Sequence, residues 1–211
     1  MLRVGLTGGV ACGKSTVSQM LVGHGALVLQ ADKVARELMQ PGSPVFDEVV
    51  RCFGREMLDH DGHIDRQKLA TAAFFPAADG STRIAELNRI VHPAVIARQE
   101  QWMDEIAREH SDAIAVVEAA LILEAGVGSR FDRIVVVTCS PEQKVERFAA
   151  RHGISLEDAA LEVARRSAAQ LPESEKVRAA DFVIDNSESL VETERQVEKV
   201  MAALRRTAKK K

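Results

Sequence analysis

Between the apolar run Arg3–Thr7 and a helix-like segment, residues Gly8 to Ser15 read G-G-V-A-C-G-K-S, a match to G-x-x-x-x-G-K-[ST]. Glycines at this spacing let the backbone curl until successive N–H groups point inward, and the helix that follows adds positive potential at its N-terminus. The stretch therefore calls for a strand before it and a helix after it, and what it traps is phosphate. Lys14 is placed to reach the β and γ oxygens of a nucleoside triphosphate, and the Ser15 hydroxyl to ligate a magnesium ion that bridges them.

Short β-branched runs recur at Arg3–Thr7, Ala26–Leu29, Ile114–Val117, Arg133–Thr138 and Phe182–Ile184, separated by helical patterns. Continuous apolar strands alternating with helices predict an α/β fold with a parallel sheet buried on both faces. Ligands of such sheets collect at the carboxyl ends of the strands, which draws attention to the phosphate loop, Asp32, the stretch Glu118–Glu124 and the residues after Thr138. The long interval between the second and third runs holds helical patterns at Asp32–Met39, Pro44–Phe53, Asp65–Phe75 and Pro93–Glu109, with Pro93 suited to the first turn of the last one. A second helical excursion, Pro141–Ala180, has the character of a lid, and Arg147 and Arg151, four apart, share one helix face. Leu190–Leu204 is amphipathic and is expected to pack on the sheet. The predicted organisation is a nucleotide-binding core from residues 1–31, 111–140 and 181–211, a helical insertion over 32–110 and a lid over 141–180.

The chain has 211 residues and a net charge of −3, enough for one substantial core and without the basic excess of a nucleic-acid binder. The cluster Arg205, Arg206, Lys209, Lys210 and Lys211 reads as a solvated helix end. No apolar stretch approaches the ~20 residues that span a bilayer. A cytoplasmic protein without nucleic-acid or membrane partners is expected. Its three cysteines are odd in number and far apart, as reduced thiols are. Cys12, beside Lys14 and a helix start, is either a thiol of depressed pKa and raised reactivity or a small side chain filling a permissive loop position.

A phosphate loop alone does not separate a kinase from a switch, a motor or an assembly factor. The chain lacks an N-K-x-D base-recognition motif, and its D-x-x-G at Asp59–Gly62 falls inside the insertion, where it reads as a turn. A small-molecule kinase needs an acceptor hydroxyl in line with the γ-phosphate, a carboxylate beside it and exclusion of water. Asp32, just after the second strand, meets the carboxylate requirement; its competing role is capping a helix from Lys33. A nucleotide-gated binding protein is the alternative from another class.

The chain resembles the dephospho-CoA kinase family nearly end to end. The likeness is carried by G-L-T-G-G-V-A-C-G-K-S-T at Gly5–Thr16, A-D-K-V-A-R-E-L at Ala31–Leu38, D-G-H-I-D-R-Q-K-L-A at Asp61–Ala70 and L-N-R-I-V-H-P at Leu87–Pro93. It continues through L-I-L-E-A-G at Leu121–Gly126, the stretch Arg166–Lys176 with Gln170, and A-D-F-V-I-D-N at Ala180–Asn186. The resemblance implies a P-loop NTPase-type fold and transfer of the ATP γ-phosphoryl group, with Mg2+, to the ribose 3′-hydroxyl of dephospho-CoA. It implies that Ala11, Cys12, Gly13, Lys14, Ser15 and Thr16 cradle the phosphates, that Asp32 is the catalytic carboxylate, and that Arg147 and Arg151 face the phosphates from the lid. By the same resemblance Asn186 falls near the adenine, and Arg66, Leu69, His92, Pro93 and Glu124 shape the acceptor pocket. For His92, a plain helix-start residue before Pro93 is the competing reading.

Three positions depart from the family pattern. Gln30-Ala31-Asp32 stands where D-x-D is usual, so the first carboxylate's part in the metal shell must pass to an amide, water or another group. Ala11 and Cys12 stand where glycine and serine are usual, and alanine's poor tolerance of positive φ predicts a negative φ at Ala11. Ala120 replaces a proline, with consequences expected for packing only.

Overall fold

The computed structural model describes residues 1–74 and 82–209. In chain order the elements are β1 (Leu2–Gly8), α1 (Lys14–Gly23), β2 (Leu27–Gln30), α2 (Ala31–Leu38), α3 (Pro44–Phe53), α4 (Arg66–Phe74), α5 (Ile84–Glu109), β3 (Ile114–Glu118), β4 (Arg133–Thr138), α6 (Pro141–His152), α7 (Leu156–Ala168), α8 (Glu173–Ala179), β5 (Phe182–Asp185) and α9 (Leu190–Ala208). Contacts divide them into two compact units, Met1–Gln30 with Met103–Lys211, and Ala31–Trp102. The division falls inside α5, at Trp102, where the sequence places the end of the insertion at residue 110.

The first unit is built on a five-stranded sheet in the order β2-β3-β1-β4-β5, with every pairing parallel. This is the predicted α/β, P-loop NTPase-type architecture. β1 lies at the centre, with Leu2, Val4 and Leu6 fully buried, while Arg3, near its start, reaches out to pair with Asp104 at 2.9 Å. They share a core with Val17 and Leu21 of α1 and with Val197, Val200, Met201 and Leu204 of α9, so the amphipathic C-terminal helix packs on the sheet as expected. On the other face Ile122, Ile134 and Val136 form a smaller cluster. α9 runs on to Ala208, and Arg205 donates to the His24 carbonyl rather than pointing free into solvent. Lys210 and Lys211 lie outside the described residues.

In the second unit, α3 starts as its sequence dictates: the Ser43 hydroxyl accepts from Phe46 N at 3.1 Å and Pro44 occupies the first turn. Asp65 caps α4 by accepting from Gln67 N and Lys68 N; Phe75, expected to end that helix, is outside the described residues. The D-x-x-G stretch is a turn, with the Asp59 carboxylate accepting from Asp61 N and His63 N.

α5 corrects an expectation. Pro93 does not open a helix but lies inside one. The buried positions Val91, Val95, Gln99, Met103 and Ile106 form one continuous helical stripe on both sides of it, while Pro93 itself is exposed. Twenty-six residues of consistent periodicity outweigh one missing N–H. Because proline in a helix interior is ~3 kcal/mol less favourable than alanine, Pro93→Ala is expected to raise the unfolding free energy by about 1–3 kcal/mol in urea titrations. An unchanged or lowered midpoint would show that the helix is already relaxed around the ring.

Candidate active site

The loop between β1 and α1 closes against the end of β4. Gly8 pairs with Val137, and a Cβ on Gly8 would stand 2.3 Å from the Val137 carbonyl oxygen. Gly13 has φ 87°, and a Cβ there would stand 2.1 Å from Asn186 Nδ2. Both glycines are therefore set by close approach of other chain segments. The Gly13 carbonyl accepts from Thr16 N and Val17 N, which starts α1 and leaves its first N–H groups aimed at the loop. Lys14 Nζ donates to the Gly8 and Gly9 carbonyls at 3.0 and 2.9 Å, bridging the loop it belongs to.

Ala11 has φ 56°, contrary to the negative value expected of alanine. The curl of the loop requires a left-handed residue at that point, and the methyl group is not idle: Ala11 and Val10 pack against Phe148, Ala149, Ala159 and Val163 of α6 and α7. Strain of roughly 1–2 kcal/mol is thus partly offset by apolar contact.

Asn186, immediately after β5, secures the loop. Its Nδ2 donates to the Cys12 carbonyl at 2.9 Å, and its Oδ1 accepts from Thr193 Oγ1 at 2.9 Å, all in a buried setting. The side-chain amide that the resemblance places near the adenine therefore joins the Cys12 backbone to the Thr193 hydroxyl. Arg147 on α6 donates through Nη2 to the Asn186 carbonyl at 2.9 Å and carries its Nη1 to within 3.7 Å of where a Cβ at position 13 would stand. Arg147 Nη1 and, one turn earlier, Gln143 Oε1 are buried without a hydrogen-bond partner. Arg151 is exposed on the next turn of the same helix.

At the carboxyl end of β3, Glu118 is 9% exposed and joins two segments: Oε1 accepts from Ser15 Oγ at 3.1 Å and Oε2 from Gln30 Nε2 at 2.9 Å. A hydroxyl beside a carboxylate, with further oxygens to come from phosphates and water, is a donor set that suits Mg2+. Gln30 thus holds a carboxylate where the family pattern would itself provide one. The strand-end position flagged Glu118 in the sequence, but its partnership with both residues was not legible. Nor did anything in the sequence announce Thr193 or the Lys144–Glu173 ion pair, 2.6 Å long, near Gly9.

Two thiols meet beside the loop. Cys12 is fully buried, and its pKa is lowered to about 7, first by a hydrogen bond with the Cys139 thiol and then, against the opposing effect of burial, by the charges of Lys144 and Lys14. The Cys139 thiol is pushed far upward by the same hydrogen bond and by burial.

Glu124 sits apart from the loop, after β3, in an ion pair of 2.7 Å with Lys176, whose side chain is 1% exposed. Glu124 Oε1 also accepts from Leu171 N, and Lys176 donates to Gln170 Oε1, so the motif Gln170–Lys176 folds around this carboxylate. Glu124 Oε2 is buried without a partner. In the second unit, Asp32 is exposed in the first turn of α2; because that helix begins at Ala31, Asp32 is inside it and does not cap it. Arg66 is exposed and Leu69 buried on α4, while His92 and Pro93 lie mid-way along α5. Burial lowers the His92 pKa and favours its neutral form.

Asn186→Ala removes a partner from a buried carbonyl and a buried hydroxyl and is expected to lower stability by about 1–3 kcal/mol, with weaker nucleotide binding; denaturant titration and binding of a fluorescent ATP analogue read the two effects. Ala11→Gly relieves the left-handed strain but gives up roughly 0.5–1 kcal/mol in chain entropy and about 0.8 kcal/mol of methyl packing, so a change within about 1 kcal/mol is expected in the same titration. A gain well above that would show that the methyl contributes nothing.

A family model described as dephospho-CoA kinase matches residues 2–192. The dephospho-CoA kinase of Streptomyces avermitilis is 41% identical over 204 residues, covering 97% of this chain and 94% of that protein. The dephospho-CoA kinase of Aquifex aeolicus is 41% identical over 206 residues, covering 98% and 99%. A crystal structure from Thermus thermophilus superposes with a TM-score of 0.75 at 32% identity, covering 96% of this chain and 97% of that one. With its loop, its strand-end acid and its full-length match to these proteins, the chain belongs to the dephospho-CoA kinase family.

Proposed function

We propose that the chain transfers the γ-phosphoryl group of ATP to the ribose 3′-hydroxyl of dephospho-CoA in the cytoplasm, giving coenzyme A and ADP, the last step of coenzyme A biosynthesis. Family membership supports the reaction. The observation that carries the residue roles is the joining of the Gly8–Ser15 loop to Glu118 and Asn186.

Backbone N–H groups of residues 11–16 cradle the phosphate chain, and Lys14 exchanges the Gly8 and Gly9 carbonyls for β and γ oxygens. Ser15 and Glu118 would hold Mg2+, with Gln30 fixing the second Glu118 oxygen. The ion, when bound, would neutralise negative charge on the phosphate chain. Arg147, with a donor to spare at Nη1, stabilises the charge on the transferring group, and Arg151 joins it when the segment 141–180 closes and excludes water. Asp32 accepts the 3′-hydroxyl proton late in transfer, when the loose transition state has made that oxygen more acidic. By the family resemblance Arg66, Leu69, His92, Pro93 and Glu124 shape the acceptor side, Glu124 being held by Lys176.

The discriminating experiment is a coupled ADP-release assay with dephospho-CoA, AMP, adenosine and shikimate as acceptors. ADP release that rises with dephospho-CoA and not with the others is expected; release that no acceptor increases would overturn the reading. In that assay Asp32→Asn is expected to lower turnover by roughly 10²- to 10⁴-fold while binding of the ATP analogue survives. Near-normal turnover would remove Asp32 from the mechanism. Glu118→Gln is expected to raise the Mg2+ concentration needed for half-maximal rate by about tenfold or more and to weaken Mn2+ binding seen by electron paramagnetic resonance. Equal Mn2+ affinity in both forms would show that Glu118 is not in the metal shell.

A further inference from the structure

Cys12 and Cys139 are four and two residues beyond the paired strand positions Gly8 and Val137, so adjacent parallel strands deliver both thiols to one spot. The two thiols act on each other's titration, and Cys139 Sγ lies 4.0 Å from the carbonyl oxygen of Ala11, the residue preceding Cys12. Both belong to one buried cluster, at 0% and 4% exposure, whereas the third cysteine, Cys52, is partly exposed on α3 in the other unit. Nothing in phosphoryl transfer calls for a second thiol beside the loop.

We infer that Cys12 and Cys139 form an oxidative modification site at which hydrogen peroxide closes a reversible disulfide that locks the phosphate loop. The Cys12 sulfur attacks one peroxide oxygen; the O–O bond breaks and the departing hydroxide takes a proton to become water, leaving a sulfenic acid on Cys12. The Cys139 sulfur then attacks the Cys12 sulfur, the S–O bond breaks, and the second water leaves with the Cys139 proton. Two thiols are oxidised by two electrons in all, and the peroxide is reduced to two waters. Lys144 and Lys14, whose charges act on Cys12, favour the attacking thiolate. Burial restricts the oxidant to a molecule of nearly water size and keeps bulky disulfides such as oxidised glutathione out. Drawing the Cys12 sulfur to bonding distance pulls on the residue whose carbonyl Asn186 holds, and so disturbs the N–H cradle.

The test treats the full chain with hydrogen peroxide and reads three signals: intact mass with peptide mapping, binding of a fluorescent ATP analogue, and recovery with dithiothreitol. Expected are a Cys12–Cys139 bridge with loss of the two thiol hydrogens, a fall of about tenfold or more in nucleotide affinity, full recovery on reduction, and slower bridging under saturating Mg-ATP. Cys139→Ser and Cys139→Ala are expected to keep basal activity and to accumulate a dimedone-trappable sulfenic acid at Cys12 in place of the bridge, while Cys52→Ser still bridges. Cys12 and Cys139 remaining thiols, a bridge to Cys52, a glutathione adduct on Cys12, or a bridge that leaves nucleotide affinity unchanged would each overturn the inference. The mass readout does not involve an acceptor, so a failed kinase assay and a failed bridge are distinguishable.

Discussion

A single amide, that of Asn186, bonds to the Cys12 carbonyl and thereby holds the phosphate loop in the curl that points its N–H groups inward. A loop rich in glycine is not rigid by itself; its conformational freedom must be removed from outside. Here the restraint comes from the far end of the chain, across the order β1-β4-β5, and is itself held by Thr193 on α9. The approach is so close that position 13 has no room for a Cβ, which is why a glycine stands there independent of any ligand. α6 and α7 add a second restraint through the apolar contacts of Val10 and Ala11. The cradle is therefore a property of the completed sheet and not of the eight-residue motif.

Charge is distributed by the same logic. One carboxylate, Glu118, lies at the carboxyl end of β3, where the parallel sheet exposes its strand ends and a hydroxyl from α1 comes within reach. With Gln30 on the neighbouring β2 as its partner, the acid is oriented by an amide hydrogen bond and is spared the repulsion of a second carboxylate. Glu124 and Lys176 show the opposite solution farther along the same connection. There a nearly dry ion pair, completed by Gln170 and the Leu171 amide, fixes the start of α8. Breaking such a pair leaves a buried charge uncompensated, so its persistence speaks for geometry more than for net stability.

Strands, loop and helices with clean periodicity could be read from the residues because local pattern and tertiary environment agree. Arg133–Thr138 and Pro44–Phe53 carry the same boundaries in sequence and structure. The failures share a cause, which is that tertiary context overrode a local preference. Pro93 signals a helix start, yet a buried stripe on both sides carries the helix through it. Alanine avoids positive φ, yet the curl and the α6–α7 contacts impose it at Ala11. Motif spacing singles out Lys14 and Ser15, and Asp32 is singled out by its place just after the second strand. The role of Asn186 as a backbone clamp, the pairing of Gln30 with Glu118 and the meeting of Cys12 with Cys139 each join residues from different strands, and nothing local encodes them.

The transfer chemistry requires the Asp32 carboxylate and the terminal phosphoryl group to converge on one acceptor oxygen. A crystal structure with dephospho-CoA and a non-hydrolysable ATP analogue measures that convergence directly. An Asp32 oxygen about 2.6–3.2 Å from the 3′-hydroxyl, with that hydroxyl in line with the γ-phosphorus held by the Gly8–Ser15 loop, is the expected result. An Asp32 carboxylate farther from the hydroxyl than one bridging water can span, in a closed complex with both substrates bound, contradicts it.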